Sequence, residues 1–198
     1  MSKKFPNNLI LVKKDMIRGG GGILSLYEDK KTKKKYILKK LYRKNTNQYL
    51  NLLHIQDICK DFYICTDGLY EKNGKYYIVT DYLEGYLTLS ETKRLFSQDV
   101  KEKILEKIKK EIKKLHQKNM THNDLKPSNI MVNPTTKEVR IIDFGSAIIH
   151  SPYKKFKLRN VGYTKKYIKL DPNKLYSKSD FIDNDMYAFS IICQWFKN

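Results

Sequence analysis

A chain of 198 residues, 40% apolar and carrying 15 tyrosines, is long enough for one domain with a real core, too short for two ordinary ones, and too apolar to be disordered. Forty Lys and Arg against 21 Asp and Glu leave a net charge of +19, which must attract something acidic: nucleic acid, an acidic protein or an anionic membrane face. Cys59, Cys65 and Cys193 have no paired spacing, so neither a disulfide framework nor a zinc knuckle is indicated.

In chain order, LILV (Leu9 to Val12) and ILSLYED (Ile23 to Asp29) read as strands flanking RGGGG, with KKYILKKLY (Lys34 to Tyr42) as a third strand after the polar turn DKKTKK. In NQYLNLLHIQDICKDF, Tyr49, Leu52, Ile55 and Ile58 form a helical stripe. ICTDGLYEKNGKYYIVTDYL reads as a hairpin turning at KNGK. After Gly85, Val100, Ile104, Ile108, Ile112 and Leu115 share one face of a long helix, with Ser97 or Asp99 as its N-cap. THNDLKPSN follows directly, then the short strands NIMVN and EVRIIDFG around the turn PTTK. A polar loop is expected from Ser146 to about Asp180, and an apolar helix over NDMYAFSIICQWF.

No apolar run approaches the roughly 18 residues of a membrane span, and MSKKFPNNLILVKKD lacks the apolar stretch of a signal peptide. A cytoplasmic, intracellular protein without a membrane span is therefore expected. A small sheet with one helix comes first and a mainly helical portion second, so the expected fold class is α+β, with chemistry in the cleft between the portions.

The parts that phosphoryl transfer needs are few, and each has a candidate. Gly19, Gly20, Gly21 and Gly22 offer a backbone that can approach phosphate oxygens. Lys39 is a cation on the third strand, with Lys40 on the opposite face. Asp124 is a carboxylate, Lys126 lies two residues on, and Asn129 and Asp143 are oxygen donors of the kind that hold Mg²⁺.

In that order and at those separations the residues resemble the eukaryotic-type protein kinase family, serine/threonine type. HNDLKPSN looks like its catalytic loop, IIDFG its metal-binding strand end, and YILK its ATP-anchoring strand. VTDYLEG looks like its hinge, YIKLD stands where its activation segment ends, and DMYAFS matches the helix whose Asp, here Asp185, braces the catalytic loop.

The resemblance implies a two-lobed fold over residues 1–198. An antiparallel-sheet N-lobe would span 1–81 and a helical C-lobe 82–198, ending soon after the bracing helix. It implies ATP and Mg²⁺ as cofactors. Asp124 would be the catalytic base and Lys126 the contact to the γ-phosphate. Asn129 and Asp143 would be the metal ligands, and Lys39 the anchor of the α- and β-phosphates. Gly19 to Gly22 and Leu24 would cover the nucleotide, with Thr80 as gatekeeper and the backbone of Asp81 to Leu83 on the adenine. Thr164 would contact Asp124.

The departures carry expectations too. Asn123 stands where most members have Arg, which implies activity independent of activation-loop phosphorylation. The helix after Lys39 has Gln48 or Asn51 where the family has Glu, with Asp57 the nearest acid, and Ile17 replaces the first loop glycine. The compact form is found among bacterial effector kinases, viral kinases and the tRNA-modification-complex kinase. The heavy use of Lys, Asn, Ile and Tyr is that of an AT-rich genome, such as a virus or parasite.

Three readings follow: an active protein kinase, a pseudokinase or binding module on the same fold, and a small atypical kinase acting with a partner. The missing Glu favours the second; intact Lys39, Asp124, Asn129 and Asp143 favour the first. A partner protein covering the end of the C-lobe would require an exposed apolar patch at Ile191, Ile192, Trp195 and Phe196. On the long helix Glu106 and Lys110 are set for an i,i+4 pair. The basic residues from Lys154 to Lys169 lie in the expected activation segment and point to acidic protein acceptors. Mixed with Tyr153, Tyr163 and Tyr167 they also suit RNA, but no nucleic-acid motif accompanies them, so a nucleic-acid partner stays open.

Overall fold

The computed structural model describes residues 3–4, 6–19, 22–41, 66–151, 153–158 and 164–198. The chain divides into two compact units, Met1–Glu84 and Gly85–Asn198. The helical stripe at Tyr49 to Ile58, with Gln48, Asn51 and Asp57, lies outside the described residues.

The first unit is a six-stranded sheet of β1 (Lys3–Lys4), β2 (Leu9–Gly19), β3 (Gly22–Asp29), β4 (Lys35–Lys40), β5 (Thr66–Lys72) and β6 (Lys75–Asp81), in the order β1-β5-β6-β4-β3-β2. Every pairing is antiparallel except β1 with β5. Strand β2 runs well past Val12, where the sequence pattern ends. Its apolar run gives way to Lys13, Lys14 and Asp15, and the register with β3 shifts there, Asp15 taking φ 47°. The expected KNGK turn forms with Asn73 (φ 51°) and Gly74 (φ 69°) both left-handed, as a two-residue hairpin with the right-handed strand twist requires. At the β3–β4 turn the Asp29 carboxylate accepts from the Lys31 and Thr32 amides at 2.8 and 2.9 Å and from the Asn8 side chain.

Cross-strand register sorts the sheet into two faces. Leu38, Tyr70 and Val79 form a buried cluster on one, edged by Leu9, Tyr27, Tyr36 and Tyr77, which places four of this unit's nine tyrosines. The other face carries the layers Leu24–Lys39–Ile78 and Leu26–Ile37–Thr80.

The second unit contains β7 (Leu87–Thr88), α1 (Leu89–Thr92), α2 (Gln98–Gln117), β8 (Met120–Thr121), β9 (Ile130–Val132), β10 (Val139–Ile141), β11 (Ile148–Ile149), β12 (Phe156–Lys157), β13 (Leu175–Tyr176) and α3 (Lys178–Lys197). The stripe expected on α2 is buried at Ile104, Ile108, Ile112 and Leu115, joined by Leu105, and Ser97 takes the N-cap position. The ion pair on that helix is Lys114–Glu111 at 3.0 Å; Glu106 and Lys110 do not pair among the described residues.

Three further expectations are corrected. The stretch from Ser146 to Asp180 is not one loop: β11 pairs with β8, β12 pairs with β13, and Ile148, Leu158 and Phe181 close a small core. Helix α3 begins at Lys178, six residues before Asn184, because Ser177 and Asp180 make a capping box: the Ser177 hydroxyl accepts from the Asp180 amide and the Asp180 carboxylate from the Ser177 amide. The apolar end of α3 is no open patch either. Ile192 and Phe196 are 0% exposed, Ile191 and Trp195 are half-buried, and Lys93 Nζ lies 4.8 Å above the Trp195 ring.

Candidate functional site

Helix α2 delivers the chain to the site and stops at Asn119, which is left-handed (φ 57°). Thr121 pairs with Ile148 across the β8–β11 ladder. The next two amides, of His122 and Asn123, donate to the two oxygens of one carboxylate, Asp185 Oδ2 and Oδ1, each at 2.8 Å. His116 Nε2 donates to Asp185 Oδ2 at 3.0 Å. Asp185 is 0% exposed, so three donors stand in for the water it has lost. His116 is the residue that sequence reading missed. Its only signal is a basic residue in the last turn of a helix.

His122 does its own positioning. Its Nε2–H donates to Ile142 O at 2.9 Å and its Nδ1 accepts from the Asp124 amide at 3.2 Å, so a single neutral tautomer serves both bonds. The ring lies 5.1 Å from that of Phe144. Asn123 takes φ 63°, a region Asn enters more readily than most residues. Its side-chain amide donates to Thr121 Oγ1 (3.1 Å), Thr121 O (3.3 Å) and Ser146 O (3.3 Å), tying the loop to the chain beyond Asp143.

The two oxygens of Asp124 differ. Oδ2 accepts from Lys126 Nζ at 2.7 Å and Asn129 Nδ2 at 3.1 Å; Oδ1 is buried and has no hydrogen-bond partner among the described residues. Lys126 Nζ also reaches Thr164 Oγ1 at 3.4 Å, so Thr164 joins Asp124 through Lys126 and not directly. Asn129 Nδ2 holds the Asp124 carbonyl at 2.9 Å as well. Ile130 pairs with Ile141, and the Ile142 amide donates to Asn129 O at 2.9 Å. Asn129 and Asp143 therefore leave the same end of the β9–β10 hairpin, Asp143 in a left-handed conformation at φ 63° and ψ 67°.

Their donors are one amide and one carboxylate. No cluster of three or more His, Cys, Asp or Glu stands ready for a metal among the described residues. Two oxygen ligands suit Mg²⁺, which keeps waters and takes phosphate oxygens for the rest of its octahedral shell.

In the first unit, Gly19 and Gly22 pair across the β2–β3 hairpin; Gly20 and Gly21 lie outside the described residues. Gly22 has φ 151°, and a Cβ there would fall on the Lys40 carbonyl oxygen and come within 3.2 Å of Lys39 Cγ. Only glycine lets the hairpin lie this close to Lys39. Leu24, Lys39 and Thr80 share one sheet face, and the Thr80 hydroxyl donates to Ile37 O at 3.5 Å. The Asp81 carboxylate is taken by Lys34 at 2.8 Å. The Tyr82 and Glu84 amides donate to Lys35 O and Tyr82 O, while the Leu83 amide has no backbone acceptor among the described residues.

The protein kinase domain family model matches residues 12–195. Calcium-dependent protein kinase 4 of Plasmodium berghei (strain Anka) is 31% identical over 151 residues, covering 70% of this chain but only 28% of its own length. The human cell division cycle 7-related protein kinase is 36% identical over 78 residues, 39% of this chain and 13% of its own. Among solved structures, the Cydia pomonella granulovirus kinase PK-1 superposes with a TM-score of 0.75 at 17% identity, over 96% of this chain and 68% of that one.

Asp185→Ala leaves the His122 and Asn123 amides and His116 without their buried acceptor, and is expected to destabilise the fold by about 3 kcal/mol or more in urea unfolding. His150 gives a pH signature. Burial first, then Lys178, pushes its imidazole down to about 4, and the Thr121 hydroxyl lies 2.7 Å from its Nε2. Between pH 6.5 and 4 the unfolded chain therefore binds a proton that the folded one refuses. Stability should fall across that window on acidification, by of the order of 3 kcal/mol from this group. His150→Gln should flatten the curve of unfolding free energy against pH there.

Proposed function

The chain belongs to the protein kinase family, and from that premise we propose that it is a serine/threonine protein kinase, passing the γ-phosphate of Mg²⁺–ATP to a protein hydroxyl without needing a phosphate on its own activation segment. The observation that carries the reading is Asp124, whose Oδ2 is saturated and whose Oδ1 is buried with no hydrogen-bond partner among the described residues. A carboxylate oxygen kept in that state is an acceptor waiting for a hydrogen bond, and the acceptor hydroxyl supplies it.

Asp124 Oδ1 orients the hydroxyl and takes its proton as the new O–P bond forms and the bond from the γ-phosphorus to its bridging oxygen breaks. Lys126, fixed between Asp124 and Thr164, offsets charge on the transferring group. Its place two residues after Asp124, with the Thr164 contact, supports the serine/threonine assignment. Asn129 and Asp143 would hold Mg²⁺, which when bound neutralises and orients phosphate oxygens.

In the first unit, Lys39 would hold the α- and β-phosphates, beneath the Gly19–Gly22 hairpin that Gly22 brings down onto it. Leu24 and Thr80 on the same face would border the nucleotide, and the backbone of Asp81 to Leu83, with its available Leu83 amide, would meet the adenine. Independence from activation-loop phosphate is supported by Asn123. An arginine there would need a phosphate to complete it, whereas this amide already bonds to Ser146 O.

The test is transfer of labelled γ-phosphate to a protein acceptor, followed by identification of the labelled residue. Label is expected on Ser or Thr, falling at least about 100-fold in Asp124→Asn while Mg²⁺–ATP still raises the melting temperature of that variant. Equal transfer by Asp124→Asn and the parent protein would overturn the assignment of the base.

A further inference from the structure

The +19 charge is not spent evenly. On the long helices some lysines find partners: Lys114 pairs with Glu111 and Lys197 with Glu102, both at 3.0 Å, and Lys107 Nζ donates to Lys137 O at 2.8 Å, while Lys103, Lys109, Lys110 and Lys113 stay exposed without an ion pair among the described residues. The segment after Thr164 is distinguished by its place. Lys165, Lys166, Lys169 and Lys174 are exposed, and none pairs with a carboxylate among the described residues. The two acids nearest in sequence already accept from backbone amides. Asp171 Oδ1 accepts from the Asn173 amide at 2.9 Å, and Asp180 is engaged in the cap of α3.

Placement makes these lysines informative. Thr164 is bound by Lys126, which is itself bound to Asp124. Five residues on, the Lys169 amide donates to Asn184 Oδ1 at 3.1 Å, and Asn184 precedes the bracing Asp185. Between these ties Tyr167, 9% exposed, anchors a 3₁₀ turn at Lys165–Tyr167. The segment is thus held to the catalytic loop at one end and to its brace at the other, with three exposed ammonium groups, none in a salt bridge among the described residues; Lys166 Nζ lies 5.8 Å from the Tyr167 ring and Lys169 is within Coulombic reach of Asp180. Two residues of chain span at most about 7 Å, so Lys165 and Lys166 lie within about one screening length of Thr164 at physiological salt.

We propose that Lys165, Lys166 and Lys169 form a substrate-selecting surface that favours protein segments carrying Asp or Glu within about three residues of the acceptor hydroxyl, a reach of roughly 10 Å in an extended chain. The inference rests on the kinase reading above and adds the class of substrate. Lysine supplies strongly hydrated point charges, which steer and select carboxylates. A single-stranded RNA would need exposed aromatic platforms; Tyr167, the aromatic at the centre of the surface, is buried, and the exposed Tyr153 lies outside the segment that carries the three lysines.

The test measures binding and transfer separately, on a Ser peptide flanked by Glu, the same peptide flanked by Ala, and a single-stranded RNA. By fluorescence anisotropy at low salt the Glu-flanked peptide is expected to bind at least tenfold more tightly than the Ala-flanked one, the ratio shrinking as salt is raised. Lys165→Glu/Lys166→Glu, and less steeply Lys165→Ala/Lys166→Ala, should bring the ratio close to one, with melting temperatures confirming that both variants fold. Reversal at Lys109 and Lys110, exposed on α2, should preserve it. Equal binding of the two peptides, an unchanged ratio in the Lys165/Lys166 variants, or RNA binding tenfold tighter than the acidic peptide and lost in those variants would each overturn the proposal. Acidic-peptide binding of the expected pattern with no transfer to any peptide would instead contradict the kinase reading and leave the surface standing.

Discussion

Two adjacent backbone amides, those of His122 and Asn123, must find acceptors where solvent does not reach, and the carboxylate of Asp185 gives one oxygen to each at 2.8 Å. Left unmade, each bond would cost about 1–3 kcal/mol, enough to let the loop choose another conformation. Made, they fix the residue that follows. Asp124 is then held from three sides: by its amide on His122 Nδ1, by its carbonyl on Asn129, and by Oδ2 on Lys126 and Asn129. What stays available is Oδ1. On the proposed reading, the reactive atom is defined by what its neighbours have already used.

The same economy runs through the residues beyond Asp143. Ladder bonds between β8 and β11, the Asn123 amide on Ser146 O, the His150 amide on Asn119 O at 2.7 Å and the Thr121 hydroxyl at His150 Nε2 hold this segment to the catalytic loop. These bonds join neutral groups and most are buried, so salt screens them little. A phosphate bound by surface arginines would be a charged and screened alternative. On the proposed reading, Asn123 is a different solution to one constraint and not a defective arginine.

Much of this was legible where the chemistry is local. The five-residue spacing from Asp124 to Asn129 is spanned by one 3₁₀ turn, Pro127–Asn129, so sequence separation translated directly into the contact between them. Lys39 and its neighbour Lys40 were separable by strand alternation, and the register places Lys39 with Leu24 and Ile78. His116 was not legible, because it meets a residue 69 positions away and only the reversal at Asn119 makes that possible. Nor was Phe196, which reads as the exposed end of an apolar run but is covered, with Lys101 Nζ 5.6 Å from its ring. The Ser177/Asp180 box that starts α3 was present in the sequence, but the polar residues around it lack the apolar period by which helices are recognised.

If the catalytic loop is set by Asp185 and Asn123 alone, the chain should work without modification. The direct measurement is the turnover rate of protein shown by mass spectrometry to carry no phosphate, against the same protein after prolonged incubation with Mg²⁺–ATP. Rates within about twofold, with no lag at the start of the reaction, are the expected result. A phosphate-free protein that is inactive, or that gains activity in step with phosphate incorporated into its own activation segment, would contradict it.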